Sequence, residues 1–237
     1  MEINYIGHST VELVEGNTRV LIDPFLKPNN PAAKVTADEV EPTHVFITHA
    51  HADHFADAVA VGKRTGASFV AITELANVLN EQGIEDAADA NLGGTVTYDW
   101  GWVKLVQAFH TSTVPGSSEA PYSPTPGTVI GAACGVIVNI GGKTAYHLGD
   151  TALFSDLKLI AERTPVDVAF IPIGGHYTMD RHDAVVAADF VGAETVIPIH
   201  FNTFPPIETD AEAFKKDVES KTSSKVVVLA PGESHSA

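Results

Sequence analysis

The chain alternates between short apolar runs and amphipathic stretches, and this pattern predicts a mixture of strands and helices. Most of the apolar runs are about five residues long and end near Gly, Pro, Asn or Asp, which is typical of buried strands. Strands are predicted over 2–6, 10–14, 19–22, 45–47, 68–72, 103–109, 135–140, 144–148, 168–173, 195–199 and 225–229. Helices are predicted over 55–63, 74–81, 153–163, 180–191 and 211–220. Proteins of the α/β class reach 237 residues as one unit, so we predict a single domain over 1–237.

One long stretch, 115–131, departs from this pattern. Seven of its seventeen residues are Pro or Gly, which predicts an irregular loop. Loops of this length in a compact domain often cover a functional site, and this one starts five residues after His110. A lid is therefore one interpretation, and a disordered insertion is the other.

The most informative stretch of the chain runs from His49 to His54, where four of six residues are strong metal ligands. His49 and His51 are two residues apart after an apolar run, so an extended strand end can point both imidazoles to one side. Asp53 and His54 follow on the turn into the next predicted helix and can face the same space. An affinity tag would be a terminal run of His without Asp or flanking elements, so we interpret this stretch as a metal site.

Three further residues share one setting, because each ends an apolar strand and begins a loop. These residues are His110, Asp150 and His200. Ligands that converge in space while scattered in sequence are expected in such positions. The alternatives are a hydrogen-bonded loop histidine for each His and a helix N-cap for Asp150. Asp23, also at a strand end, either supports a ligand histidine or caps its own turn.

The motif His-x-His-x-Asp-His after a strand resembles the metallo-β-lactamase superfamily of dinuclear metal hydrolases. Within that superfamily, Gly7-His8-Ser9 and the segment 173–179 resemble a compact group related to the ascorbate-phosphate lactonases. The resemblance spans nearly the whole chain. It implies a four-layer αββα sandwich with two similar halves and metals at the edge between two central sheets.

The resemblance also implies a set of seven ligands around two divalent ions, with zinc or manganese expected first and iron or nickel as alternatives. The first ion would be held by His49, His51 and His110. The second would be held by Asp53, His54 and His200, with Asp150 bridging both ions.

Such a centre predicts a hydrolase that uses a metal-bridging hydroxide on a small ester or lactone. The resemblance to the lactonases implies that this substrate is anionic. Asp53 could also orient the nucleophile, while His8 and His176 could donate to an oxyanion or a phosphate. For both histidines the alternative is a structural hydrogen bond. Two other functions remain open: a phosphodiesterase with the same centre, and a di-iron redox or metal-binding protein.

Charge and composition limit the classes of binding partner that are expected for this chain. The chain has 14 basic and 30 acidic residues, a net charge of −16, and no basic run longer than a pair. Nucleic acid is therefore not expected as a partner, and the expected substrate is a small molecule. No uncharged apolar run approaches the roughly 18 residues of a membrane span, and the N-terminal residues do not resemble a signal peptide. A single cysteine, Cys134, excludes an internal disulfide and favours the cytoplasm, while a homo-oligomer remains open.

Overall fold

Two seven-stranded sheets form the centre of the fold, and helices cover their outer faces. A computed structural model describes residues 1–114 and 128–237. The predicted lid over 115–131 thus lies almost entirely outside the described residues and stays a prediction.

The strands and helices follow one another along the chain as below. The strands are β1 (Glu2–Gly7), β2 (Thr10–Glu15), β3 (Thr18–Ile22), β4 (His44–Phe46), β5 (Ser68–Ile72), β6 (Ala87–Ala90), β7 (Thr95–Tyr98), β8 (Gly101–Gln107), β9 (Cys134–Ile140), β10 (Lys143–His147), β11 (Val168–Pro172), β12 (Thr195–Ile199), β13 (Lys225–Val226) and β14 (Glu233–Ser236). The helices are α1 (Ala52–Phe55), α2 (Ala58–Thr65), α3 (Thr73–Glu81), α4 (Asp156–Arg163), α5 (Arg181–Val191) and α6 (Ala211–Lys221), with a short 3₁₀ turn at Pro205–Ile207.

The two sheets have the same topology. The first runs β14-β1-β2-β3-β4-β5-β6, and the second, read from its other edge, runs β7-β8-β9-β10-β11-β12-β13. In each sheet the first four strands are antiparallel and the next three continue in parallel. The prediction of two similar halves is therefore confirmed, with the C-terminal β14 completing the sheet of the first half.

Strand alternation builds the four layers. In β4, Val45 faces the helices on the outside of the first sheet, whereas Phe46 faces the second sheet. In β11, Ala169 faces outward and Phe170 faces inward in the same way. Three apolar clusters result, one between the sheets and one under each helical layer, and the predicted αββα sandwich is confirmed.

The helix predicted over 55–63 is in fact two helices, α1 and α2, separated at Ala56 and Asp57. The interruption comes from contacts with the loop after β3. Asp57 donates its backbone N–H to the carbonyl oxygen of Pro24, and its carboxylate accepts from Leu26 and Asn29. These distant partners are not visible in the local pattern. Asp53 and His54 consequently lie inside α1 rather than on a turn.

Several element ends also differ from the prediction, such as that of β13, which ends at Val226 rather than at 229. Two of these differences come from contacts between one pair of segments. Strand β8 ends at Gln107 and α4 begins only at Asp156, because the segments between them bind each other. The N–H of Phe109 donates to Thr151 Oγ1, and the N–H of Ala152 donates to the carbonyl of Phe109.

The sequence pattern missed β6, β7 and β14, which are polar or Ala-rich and partly exposed. Within the described ranges, no helix has the length and apolar character needed to cross a membrane.

Candidate metal centre

The seven predicted ligands meet at one edge of the sandwich, where strands of both sheets end. His49 and His51 follow β4, and His110, Asp150 and His200 follow β8, β10 and β12. Asp53 and His54 lie on α1, the short helix directly after His51. The structure thus brings together residues that are separated by up to 151 positions. Their role as ligands stays a prediction.

The first group contains His49, His51 and His110, whose ring nitrogens converge. Nε2 of His49 lies 3.0 Å from Nδ1 of His51, and Nε2 of His110 lies 3.2 Å from that same atom. Two ligands of one tetrahedral zinc ion lie roughly 3.3 Å apart, because each metal–nitrogen distance is about 2.0–2.1 Å. The spacing of these nitrogens therefore suits a bound ion.

The second group contains Asp53, His54 and His200, together with His8, which was not in the predicted ligand set. Asp53 Oδ2 lies 3.6 Å from Nε2 of His200, 3.9 Å from Nε2 of His54 and 3.1 Å from Nε2 of His8. A carboxylate and imidazoles in one cluster suit zinc, manganese, iron or nickel.

Asp150 lies between the two groups and is almost fully buried. Its Oδ1 is 3.3 Å from Nε2 of His54, and its Oδ2 is 3.1 Å from Nε2 of His200. The same Oδ2 is 3.5 Å from Nε2 of His110 in the first group. Helix α4 begins six residues later, so Asp150 does not cap it. This position fits the bridging role that was predicted.

Several buried polar atoms at this centre form no well-oriented hydrogen bond among the described residues, although Asp150 approaches the Nε2 atoms of His54 and His200 to 3.3 and 3.1 Å. They are Nε2 of His54, Oδ1 of Asp150 and both ring nitrogens of His200, four of the eight such atoms in the described chain. Leaving a buried polar atom unpaired costs about 1–3 kcal/mol, so unpaired atoms rarely cluster. A metal ion would bind the atoms that face the centre, and the residues present therefore fit such an ion.

Asp23 fixes the orientation of two histidines of the predicted ligand set. Its Oδ2 lies 2.7 Å from Nδ1 of His54 and accepts a 2.6 Å hydrogen bond from Thr48 Oγ1. Since that hydroxyl has only one hydrogen, Thr48 must accept from Nδ1 of His49, 2.9 Å away. Both histidines carry hydrogen at Nδ1, which in the neutral ring turns the lone pair of Nε2 toward the centre. Of the two roles open for Asp23, these contacts favour support of two predicted ligands, His54 directly and His49 through Thr48.

The backbone at the centre adopts an uncommon conformation at three residues. His8, Asp23 and His200 have φ values of 59°, 51° and 53°, in the left-handed region that side chains other than glycine seldom occupy. The surrounding contacts hold this conformation: the carbonyl oxygen of His8 accepts from the N–H of His200 and from the hydroxyl of Tyr5. Backbone strain of this kind is typical of functional sites.

Burial and charge act against each other on the buried residues of the centre. Burial disfavours the charged form of His54, but three nearby carboxylates outweigh it and raise the pKa well above the ordinary value. For His200, burial is likewise outweighed by Asp150 and Asp53, which raises the pKa to about 9. The neighbouring imidazoles hold the pKa of Asp150 well below its usual range despite its burial. At neutral pH a metal ion must therefore displace protons from this group.

In the first group, burial outweighs the nearby carboxylates. Burial, with further repulsion from neighbouring histidines, lowers the pKa values of His49, His51 and His110. These imidazoles are therefore neutral near pH 7, and a neutral ring is the form that binds metal.

His8 belongs to the second group and contacts both Asp53 and His200, with its ring centre 4.1 Å from that of His200. Burial and the adjacent His200 lower the pKa of His8 to about 4, so the ring is neutral and has one N–H. A carboxylate can only accept, which places that hydrogen on Nε2, 3.1 Å from Asp53 Oδ2. Nδ1 then accepts from the hydroxyl of Thr203 at 3.0 Å. Both nitrogens face protein atoms, which favours positioning of Asp53 over direct contact with substrate.

Replacing His8 by Ala is expected to weaken binding of the metal ion predicted at the second group about 10–100-fold, because residues that orient a ligand typically contribute that much. Thr203→Val should have a smaller effect in the same direction. Competition with a chelator measures both affinities, and His182→Ala, at an exposed histidine on α5, is the matched control. Unchanged affinity in His8→Ala would exclude a positioning role.

The other predicted catalytic histidine, His176, lies apart from the two groups. Its side chain is exposed and packs edge-on against Tyr177, with the ring centres 4.4 Å apart. The adjacent Tyr177 lines the cavity in front of the centre. The role of His176 in stabilising charge on the substrate stays a prediction.

A cavity of about 470 Å³ opens in front of the metal groups. Its described lining is Phe25, His51, Ala52, Asp53, His110, Thr111, Asp150, Tyr177, Phe204 and Pro206. The sequence analysis missed Phe25, Phe204 and the supporting hydroxyls of Thr48 and Thr203. For Thr48 a signal existed, since it directly precedes His49. Nothing in the local pattern points to the others.

Known proteins with similar sequences cover nearly the whole chain. A family model described as a β-lactamase superfamily domain matches residues 2–200. A UPF0173 metal-dependent hydrolase of Shouchella clausii is 45% identical over 222 residues, 93% of this chain and 94% of the relative. Another, from Thermus thermophilus, is 44% identical over 221 residues, 93% of this chain and 92% of the relative.

Solved structures agree with the sequence relatives. Igni18, a metallo hydrolase of Ignicoccus hospitalis KIN4/I, has a TM-score of 0.85 and 36% identity, covering 99% of this chain and 97% of Igni18. The isothiocyanate hydrolase from Delia radicum gut bacteria has a TM-score of 0.74 and 20% identity, covering 100% and 99% of the two chains. This second likeness concerns the fold alone. The chain therefore belongs to the β-lactamase superfamily and, within it, to the UPF0173 metal-dependent hydrolases.

Proposed function

We propose that this metal-dependent hydrolase cleaves a small ester or lactone at a centre of two divalent ions, of which zinc and manganese are the first candidates. The observation that carries the proposal is the position of Asp150 between two groups of ligand atoms. Its two carboxylate oxygens contact residues of both groups. When bound, two such ions would lower the pKa of a coordinated water and polarise the carbonyl oxygen under attack.

The residues around the ions have separate tasks in this proposal. His51, His110 and Asp53 line the cavity, so a substrate that enters it meets the ligand side chains directly. Asp53 is held by His8, and about a third of its side chain is exposed. In this proposal Asp53 orients the attacking water and accepts a hydrogen bond from it.

The remaining expectations on partners accompany the proposal. A small-molecule substrate fits a cavity of about 470 Å³, since ligand cavities typically measure about 300–1,000 Å³. The cytoplasmic location and the lack of a nucleic-acid or membrane partner stay predictions, and a homo-oligomer stays open.

Protein purified without chelator, or reconstituted afterwards, is expected to hold up to two ions per chain. Elemental analysis measures the metal content. A panel of lactones, carboxylic esters, thioesters and phosphodiesters then identifies the bond that is cleaved. Consistently less than half an ion per chain after reconstitution would contradict the centre. Faster cleavage of phosphodiesters than of every carbonyl substrate would favour the phosphodiesterase alternative instead.

A further inference from the structure

The cavity in front of the metal centre has apolar walls. Phe25 and Phe204 line it with their ring centres 6.4 Å apart, and Pro206 and Tyr177 also belong to its lining. Both phenylalanine rings pack edge-on against His8, each at 5.6 Å, so the wall is fixed to the residue behind Asp53. The apolar surface thus directly adjoins the polar floor of ligands.

The described lining of the same cavity includes no cationic side chain. All fourteen Lys and Arg residues fall within 1–114 and 128–237, and none of them is among the residues that line it. The positive charge of two divalent ions would be largely offset by three carboxylates, those of Asp23, Asp53 and Asp150. An anionic group away from the scissile bond would therefore lose its water without gaining a charged partner.

From these two observations we infer that the substrate is an uncharged ester or lactone whose apolar acyl or alkyl group contacts Phe25 and Phe204. The inference rests on the proposed function and replaces the anionic substrate expected from the resemblance. A buried methylene contributes about 0.8 kcal/mol, which is roughly a fourfold change in affinity. Chain length should accordingly raise affinity until the cavity is filled.

Hydroxamates test the cavity without requiring turnover, because they bind metal ions and present a chosen tail to the walls. The probes are aceto-, butyro- and hexanohydroxamate and the monohydroxamate of succinic acid, which ends in a carboxylate. Calorimetry on the metal-loaded protein gives each Kd. We expect affinity to rise about two- to fourfold per methylene, and the carboxylate-ended probe to bind at least about tenfold more weakly than butyrohydroxamate.

Two variants of Phe204 test whether the dependence of affinity on chain length comes from the apolar wall of the cavity. Phe204→Ala should flatten the dependence on chain length, while Phe204→Lys should reverse the preference and favour the carboxylate-ended probe. Phe190→Ala, at a residue of similar partial exposure on α5, is the matched control and should leave both trends unchanged. Because Phe204 is only partly buried, its variants should fold, and circular dichroism and metal content check this.

The outcomes separate this inference from the proposed function. Tighter binding of the carboxylate-ended probe by the unaltered protein would overturn the inference, as would an unchanged chain-length trend in Phe204→Ala. If the hydroxamate trends hold but no ester or lactone is cleaved, the proposed function fails while the apolar, uncharged character of the ligand stands. If esters are cleaved and charged ones react faster, the proposed function stands and the inference fails.

Discussion

Replacing Asp150 by Asn is expected to reduce metal content to less than one ion per chain and to lower kcat by at least about 10²–10³-fold. Asn keeps the shape of the side chain but removes the charge that faces both ligand groups. Asp150 lies within 3.1–3.5 Å of imidazole nitrogens from each group, so its loss should affect both ions together. Elemental analysis beside kinetics measures the two effects.

A control and an independent measurement accompany this variant. Asp156→Asn, at an exposed carboxylate at the start of α4, should keep metals and activity. In chelator-treated protein, burial lowers the pKa of His200 and Asp150 does most to raise it to about 9. Asp150→Asn should therefore shift the titration of His200, followed by NMR, to lower pH. Full occupancy by two ions in Asp150→Asn would contradict the bridging role.

The pattern of the sequence identifies the parts of the fold that depend on local chemistry. Strands such as β5 and β12 were predicted with correct ends, because their apolar runs are bounded by polar or turn residues. The break between α1 and α2 was not predicted, because it depends on contacts of Asp57 with a loop about 30 residues earlier. Strand β14 was missed because it has little apolar character and forms by pairing with β1.

The residues of the candidate centre likewise fall into those that the sequence pattern predicts and those that it does not. His49, His51, Asp53 and His54 stand out because they are adjacent in sequence, and the structure places them in the convergent groups. Thr203 and Phe204 do not stand in a cluster of ligand-type residues in the sequence. Only folding brings them against His8. The apolar walls therefore could not be foreseen, and the substrate's charge was expected from a resemblance rather than from the cavity itself.

The two ligand groups should be separable by one substitution in each. His51→Ala is expected to remove the ion of the first group, and His200→Ala the ion of the second, because neither residue belongs to the other cluster. Each variant should retain about one ion per chain, and each should lose at least about 10²-fold in kcat. The fold should persist, since both residues lie after strand ends at the edge of the sandwich.

Cobalt substitution distinguishes which ion remains in each variant. The first group supplies three nitrogen ligands and Asp150, whereas the second adds the carboxylate of Asp53, so their visible spectra should differ. His182→Ala, at an exposed surface histidine, is the matched control and should keep both ions and full activity. Identical spectra from His51→Ala and His200→Ala would mean that the two residues serve the same ion. Turnover by His200→Ala at the parent rate with both ions retained would show that His200 is not a ligand, because a site deprived of one of its imidazoles cannot keep its affinity unchanged.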